Sequence, residues 1–146
     1  MSKADDAINY FQPYNCAQSV LAAYAADYGL EKDKALSIAV GFGAGMGRAQ
    51  EVCGAISGAI MVLGLSSGFT EADSRDKINV VYAKVRRLLD DFSAKEGTVK
   101  CRELLEGCDL ATEEGQKIFK EQNLKEKCRR CVRLCCELLD KYGNDH

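Results

Sequence analysis

The chain contains 146 residues, 20 of them basic and 22 acidic, which gives a formal net charge of −2. Such a balanced charge argues neither for nucleic acid nor for a membrane surface as a partner. No apolar run approaches the roughly 20 residues of a membrane span, and the first residues lack the apolar core of a secretory signal. We therefore expect residues 1–146 to form a single cysteine-rich domain in the cytoplasm.

Helical periodicity dominates the sequence, and no segment shows the alternating pattern of a strand. The predicted helices cover residues 3–11, 15–28, 32–40, 49–63, 71–95 and 98–107, and a final segment, 113–142, that is either two helices or one broken near Asn123. The segment 49–63 is small or apolar on every side, as is typical of a helix at the centre of a bundle. The sequence therefore predicts an all-α bundle of about six or seven helices around this Gly/Ala-rich central helix.

Residues at the ends of the early helices support these boundaries. Asn15 and Gln18 have the spacing of a capping box at the start of the second helix, and Gly29 follows its end. The glycine-rich residues 41–47 interrupt the helical pattern. We expect them to form a tight turn between helices rather than an anion-binding nest.

Cys16 and Cys101 lie near predicted helix starts, the first directly after Asn15 and the second three residues after Thr98, a predicted N-cap. Unpaired backbone N–H groups and the helix dipole favour negative charge in a first helical turn. We expect this position to lower the pKa of both thiols, as a nucleophile or a metal ligand requires. Cys53 is expected in the second turn of its helix, where the helix dipole should lower the pKa of the thiol less. The alternative is that each cysteine is a small buried apolar residue.

The last predicted helix carries a dense group of cysteines: Cys128, Cys131, Cys135 and Cys136. The first three share one helical stripe, and Cys136 lies at its edge. Cys128 and Cys131 form a CxxC pattern one turn apart, close enough for one metal ion or for disulfide exchange. The nearby basic residues would favour thiolates: Lys125, Lys127, Arg129, Arg130 and Arg133. The alternatives are that the cysteines only pack in the core and that the basic residues only form a solvent-exposed face of the helix.

Several familiar cofactor patterns are missing from the sequence. It has no CxxCH pattern of c-type haem attachment, and its glycine run does not match the GxGxxG pattern of dinucleotide sites. The only histidine, His146, is terminal, so there is no internal Cys–His pair of the kind a cysteine hydrolase needs. No aromatic platform is interleaved with the basic residues of the last helix, so nucleic acid is not an expected partner.

Widely spaced cysteines occur in Asn-Cys-Ala-Gln at residues 15–18, in Cys-Gly-Ala-Ile-Ser-Gly-Ala at residues 53–59, in Cys-Arg-Glu-Leu-Leu at residues 101–105, and once more in the last helix. Together these segments resemble the C-GCAxxG-C-C family of redox-active proteins over residues 11–139. The family name has Gly-Cys-Ala where this chain has Cys-Gly-Ala. The resemblance implies that the functional set consists of Cys16, Cys53, Cys101 and Cys128, with Cys131 as the second choice to Cys128.

The cysteine pattern and the resemblance leave three functions open. In the first, two of the four cysteines cycle between dithiol and disulfide, or transfer electrons, as in a thiol-based oxidoreductase that serves a redox partner. Cys16 or Cys101 would be its attacking thiolate. The alternative is a site for zinc or an iron–sulfur cluster, held by Cys16, Cys53, Cys101 and Cys128. The second alternative is a structural or interaction module whose cysteines only pack, which is also the default for Cys108, Cys131, Cys135 and Cys136.

Overall fold

The computed structural model of the protein describes residues 2–144, and this part of the chain forms eight α-helices and no strand. The helices are α1 (Lys3–Tyr10), α2 (Cys16–Ala25), α3 (Lys32–Ala39), α4 (Gly54–Ser67), α5 (Arg75–Glu96), α6 (Cys101–Leu104), α7 (Glu113–Glu121) and α8 (Lys125–Asn144). The predicted all-α helical bundle is confirmed. His146 lies outside the described residues, so the expectation about it stays a prediction.

Local signals placed several helix ends correctly. The Asn15 side chain accepts a hydrogen bond from the Gln18 N–H at 3.0 Å, and the Gln18 side chain accepts one from the Asn15 N–H at 3.0 Å, so the predicted capping box opens α2. Gly29 follows a short 3₁₀ turn in the left-handed region, with φ 72°. Asn123, with φ 52°, separates α7 from α8. The final segment is therefore two helices.

Three helix starts differ from the prediction. The central helix begins at Gly54 with Cys53 as its N-cap, so residues 49–53 are not helical. The long α5 begins four residues later than expected, after Ser74. The short α6 has Lys100, not Thr98, at its N-cap position. At the starts of α4 and α6, backbone hydrogen bonds between segments distant in sequence replace the expected first helical turn.

Helix α4 lies at the centre of the bundle, in contact with α2, α5 and α8. Its first six residues and both Val62 and Leu63 are buried, as its uniformly apolar sequence requires. Leu88 and Phe92 of α5 and Val132 of α8 complete the core around it, each with no exposed surface. Within residues 2–144 no helix is both long and apolar enough to cross a membrane.

Residues 44–47 form a left-handed turn, in which Ala44, Gly45, Met46 and Gly47 have φ values of 52°, 65°, 73° and 59°. The turn closes with a hydrogen bond of 2.9 Å from the Gly47 N–H to the Gly43 carbonyl. Each non-glycine residue in this conformation costs roughly 1–2 kcal/mol. The glycine run is therefore a tight turn as predicted, and its strain is offset by packing against the functional site.

Glu96 at the end of α5 binds two cations of α8, which ties these helices together. Its carboxylate lies 3.0 Å from the Lys127 ammonium and 2.7 Å from the Arg130 guanidinium, and the Glu96 side chain is only 7% exposed. Burial alone would raise the pKa of Glu96, but the hydrogen bonds from Arg130 and Lys127 outweigh it and lower the pKa below its usual 4.5.

This carboxylate predicts a pH-dependent contribution to stability. A lowered pKa stabilises the fold above pH 4.5, and this contribution is lost as the pH falls through the lower folded pKa. We expect Glu96→Gln to reduce the free energy of unfolding by about 1–2 kcal/mol at neutral pH and to have little effect once Glu96 is protonated. Urea denaturation at several pH values measures this.

The control is Glu126→Gln, because the Glu126 carboxylate is 51% exposed in its pair with Arg129 and should contribute little. A loss of stability in Glu96→Gln that stays constant down to the most acid pH would contradict the argument.

Candidate functional site

A cavity of about 150 Å³ lies where the starts of α2, α4 and α6 face α8, and five cysteines line it. They are Cys16, Cys53, Cys101, Cys128 and Cys131. All are buried except Cys128, which is half-buried, and all are free thiols. The structure thus brings the four predicted site cysteines together, and it adds Cys131, the second choice, to the same wall.

Asn15 fixes the position of Cys16, the first residue of α2. Besides its part in the capping box, the Asn15 Nδ2 donates a hydrogen bond of 2.9 Å to the Val40 carbonyl. Gln18 in turn donates from its Nε2 to the Leu36 carbonyl at 3.1 Å. Both side chains therefore hold the end of α3 and the start of α2 in one orientation, and this is the structural reason for the Asn-Cys-Ala-Gln segment.

Two glycines leave room for the cysteine side chains. A Cβ on Gly54 would lie 2.5 Å from the Cys16 Sγ, and one on Gly45 would lie 2.8 Å from the Cys101 Cβ. Neither distance is compatible with a real side chain, so glycine at these positions admits the cysteines to the cavity wall. Gly54 belongs to the Cys-Gly-Ala segment, which gives that motif a steric explanation.

Cys53 and Cys101 are placed side by side by a short antiparallel backbone contact. The Cys53 N–H donates to the Val99 carbonyl at 2.8 Å, and the Cys101 N–H donates to the Glu51 carbonyl at 2.6 Å. Val52 and Lys100 form the bridge between the two segments. These bonds take up N–H groups that would be unpaired at a helix start, and they explain why α4 and α6 begin where they do.

Helix α8 supplies the opposite wall through Cys128 and Cys131, which lie one turn apart. The Cys53 and Cys131 thiols lie close together in this wall, and their interaction, followed by burial, raises the pKa of Cys53 well above its usual value. Burial is the main reason that the pKa of Cys128 is raised, with the nearby Cys16, Cys53 and Cys101 next. The CxxC pair therefore faces the other three sulfurs.

The pKa values of Cys16 and Cys101 move in the direction opposite to the one expected from their helix positions. Burial, and then the proximity of Cys53, raise the pKa of Cys16 to about 12. Burial followed by Cys53 and Cys16 raises the pKa of Cys101 to about 12. Backbone N–H groups do favour the Cys16 thiolate, including that of Ala44 in the left-handed turn, but they are outweighed. At neutral pH the Cys16 and Cys101 thiols are therefore protonated.

Gln50 is a buried polar residue that organises one side of the site. Its Nε2 donates to the Cys108 carbonyl at 2.7 Å, and its Oε1 accepts from the Leu110 N–H at 2.8 Å. The same side chain also favours the Cys101 thiolate by hydrogen bonding, which partly opposes the rise in its pKa. The Gln50 backbone has φ 58°, a left-handed conformation. The sequence analysis missed this residue, because the sequence does not show that a glutamine is buried. Its position shortly after the glycine run was the only signal.

The remaining cysteines lie outside the cavity wall. Cys135 and Cys136 are fully buried in the core, and the carbonyl of Cys136 accepts a hydrogen bond of 3.1 Å from the Tyr24 hydroxyl. Cys108 donates from its Sγ to the Gly115 carbonyl at 3.1 Å. Burial raises the pKa of Cys136 to about 12. These positions match the packing role that was their default.

Thiolates are suitable ligands for zinc or for an iron–sulfur cluster, so the cavity was the natural place for the alternative metal site. Within residues 2–144, however, no three His, Cys, Asp or Glu side chains are arranged to hold a metal ion. A metal site at Cys16, Cys53, Cys101 and Cys128 therefore stays a prediction.

The comparisons with known proteins agree with the cysteine arrangement. The family described as "Putative redox-active protein (C_GCAxxG_C_C)" has a sequence model that matches residues 14–142. The chain belongs to this family. No curated protein and no solved structure matches the chain. The match covers all five cavity cysteines, so the family resemblance and the shared cavity concern the same residues.

Proposed function

We propose that this member of the C_GCAxxG_C_C family is a thiol-based oxidoreductase in which Cys53 and Cys131 cycle between dithiol and disulfide. The proximity of these two thiols in the wall of one cavity carries the proposal. Two cysteines form a disulfide without backbone movement only where their side chains are close and face one another. Cys16, Cys101 and Cys128 line the same wall and are candidates for exchanging that disulfide onward.

Cys131 is the better attacking sulfur of the pair. The pKa of the Cys53 thiol is raised well above its usual value, first by its interaction with Cys131 and then by burial, so Cys53 is poorly suited to attack as a thiolate. In reaction with a disulfide, Cys131 would form the mixed disulfide and Cys53 would resolve it.

Equilibration with reduced and oxidised dithiothreitol, acid quenching, alkylation and peptide mapping test this proposal. We expect one two-electron transition that links Cys53 to Cys131. Cys53→Ser and Cys131→Ser should each abolish it, since either leaves one sulfur without its partner. Cys108→Ser is the matched control, because Cys108 is buried but lies outside the cavity wall.

Circular dichroism of each variant separates a lost disulfide from a lost fold. A transition that persists in Cys131→Ser, or a disulfide that maps to another pair in the unsubstituted protein, would overturn the assignment of the two sulfurs.

A further inference from the structure

The thiol cavity is small and apolar. Apart from its cysteines, it is lined mainly by Phe11, Leu104, Leu105, Leu110 and Phe119. Its volume of about 150 Å³ is close to that of an engineered apolar cavity that stays dry and binds benzene. A molecule with the bulk of a tripeptide disulfide does not fit in this space, whereas a disulfide with short alkyl groups does.

The cavity also offers no free charge to a ligand. Lys127 is the one charged side chain among the lining residues that the structure describes, and its ammonium already pairs with Glu96 at 3.0 Å. A carboxylate or ammonium on a ligand would therefore lose its hydration without gaining an opposite charge. Burying an unpaired charge in apolar surroundings is strongly unfavourable.

From the size and the neutrality of this cavity, we propose that the Cys53–Cys131 dithiol reacts selectively with small, neutral, apolar disulfides. The inference rests on the proposed function and adds the substrate class. Cys131 sulfur bonds to one sulfur of R–S–S–R while the S–S bond of the substrate breaks, and the first thiol, RSH, leaves with the Cys131 proton. Cys53 sulfur then bonds to Cys131 sulfur while the mixed disulfide bond between Cys131 and the remaining SR group breaks, and the second RSH leaves with the Cys53 proton.

The reaction balances without a further reactant. The dithiol gives up two electrons and two protons in forming its disulfide, and the substrate disulfide takes up both in forming two thiols. Both thiols of the pair are buried, Cys53 being 6% and Cys131 2% exposed, so a reagent must enter the cavity to reach them.

Three symmetrical disulfides with the same reactive bond test the selectivity: dimethyl disulfide, the dication cystamine and the dianion of 3,3′-dithiodipropionic acid. Their rates of forming the Cys53–Cys131 disulfide are each divided by the rate with the same protein unfolded in urea, which removes intrinsic reactivity. After this correction, we expect dimethyl disulfide to react faster than either charged compound by about 100-fold or more.

Phe119→Ala supplies a second test, because removing this half-buried ring opens the wall and should reduce the selectivity about tenfold. Phe69→Ala is its control, since Phe69 is 44% exposed and lies outside this cavity. Equal corrected rates for all three disulfides would overturn the substrate class while leaving the dithiol function intact. If none of them, nor oxidised dithiothreitol, forms the Cys53–Cys131 disulfide, the proposed function itself fails.

Discussion

Replacing Gly58 with alanine is expected to lower the free energy of unfolding by about 2–3 kcal/mol. A Cβ at this position of α4 would lie 2.6 Å from the carbonyl oxygen of Ala17 and 3.0 Å from the Cβ of Val20. The first neighbour is backbone, so no rotation of a side chain can relieve the contact. The α2 and α4 helices would have to move apart at the place where their closest packing fixes Cys16 beside Gly54.

Gly64→Ala on the same helix is the matched control, since nothing lies within 4 Å of its added Cβ. There the higher helix propensity of alanine should stabilise the protein by about 0.5–1 kcal/mol. If the helices pack as described, urea denaturation should show a lower free energy of unfolding for Gly58→Ala and a higher one for Gly64→Ala. A neutral or stabilising Gly58→Ala would mean that α2 and α4 do not approach so closely. Cys16 should also be alkylated faster in Gly58→Ala than in the unsubstituted protein, because the separation of α2 and α4 would expose its thiol.

Local sequence signals were sufficient wherever a structural element depends on its own residues. The capping box of Asn15 and Gln18, the left-handed Gly29 and the break at Asn123 involve only neighbours in the chain, and each was predicted. The all-round apolar character of α4 likewise predicted its central position, because such a helix has no face to offer to water. The cysteine spacing identified the family.

Local sequence signals could not predict conformations that depend on contacts between segments distant in the sequence. Residues 49–53 have a helical composition, yet they are not helical, because the Cys53 N–H and the Glu51 carbonyl bond to the segment around Lys100. The left-handed conformations of Ala44 and Met46 are unfavourable for the isolated residues, so no local preference could indicate them. Packing of the turn against the start of α2, against α4 and against α6 selects them.

The pKa values of the cysteines could not be predicted from local sequence either. A first-turn position predicts a lowered pKa from the helix dipole, but the pKa of Cys16 rises because the thiol is buried among other sulfurs. Burial is a property of the assembled bundle and outweighs the local dipole. The rotation of α8 also decides whether Cys128 or Cys131 touches Cys53, and a helical stripe that contains both cannot distinguish them.

Gln50→Leu is expected to destabilise the protein by about 2–5 kcal/mol, because it removes two buried hydrogen bonds without filling their place. The Gln50 side chain is the partner of both the Cys108 carbonyl and the Leu110 N–H, at 2.7 and 2.8 Å. Leucine has a similar size but no polar atom, so both backbone groups would stay buried without a partner. Urea denaturation measures the loss.

Gln116→Leu is the control from the same region. The Gln116 side chain donates a hydrogen bond of 2.6 Å to the Leu110 carbonyl, but Gln116 is exposed, so water can replace the bond and the loss should stay below about 1 kcal/mol. The two variants should also differ locally. In Gln50→Leu the loosened residues 108–110 should let iodoacetamide reach Cys108, whereas in Gln116→Leu this thiol should stay protected. Equal protection of Cys108 in both variants would mean that Gln50 does not hold this loop against the thiol cavity.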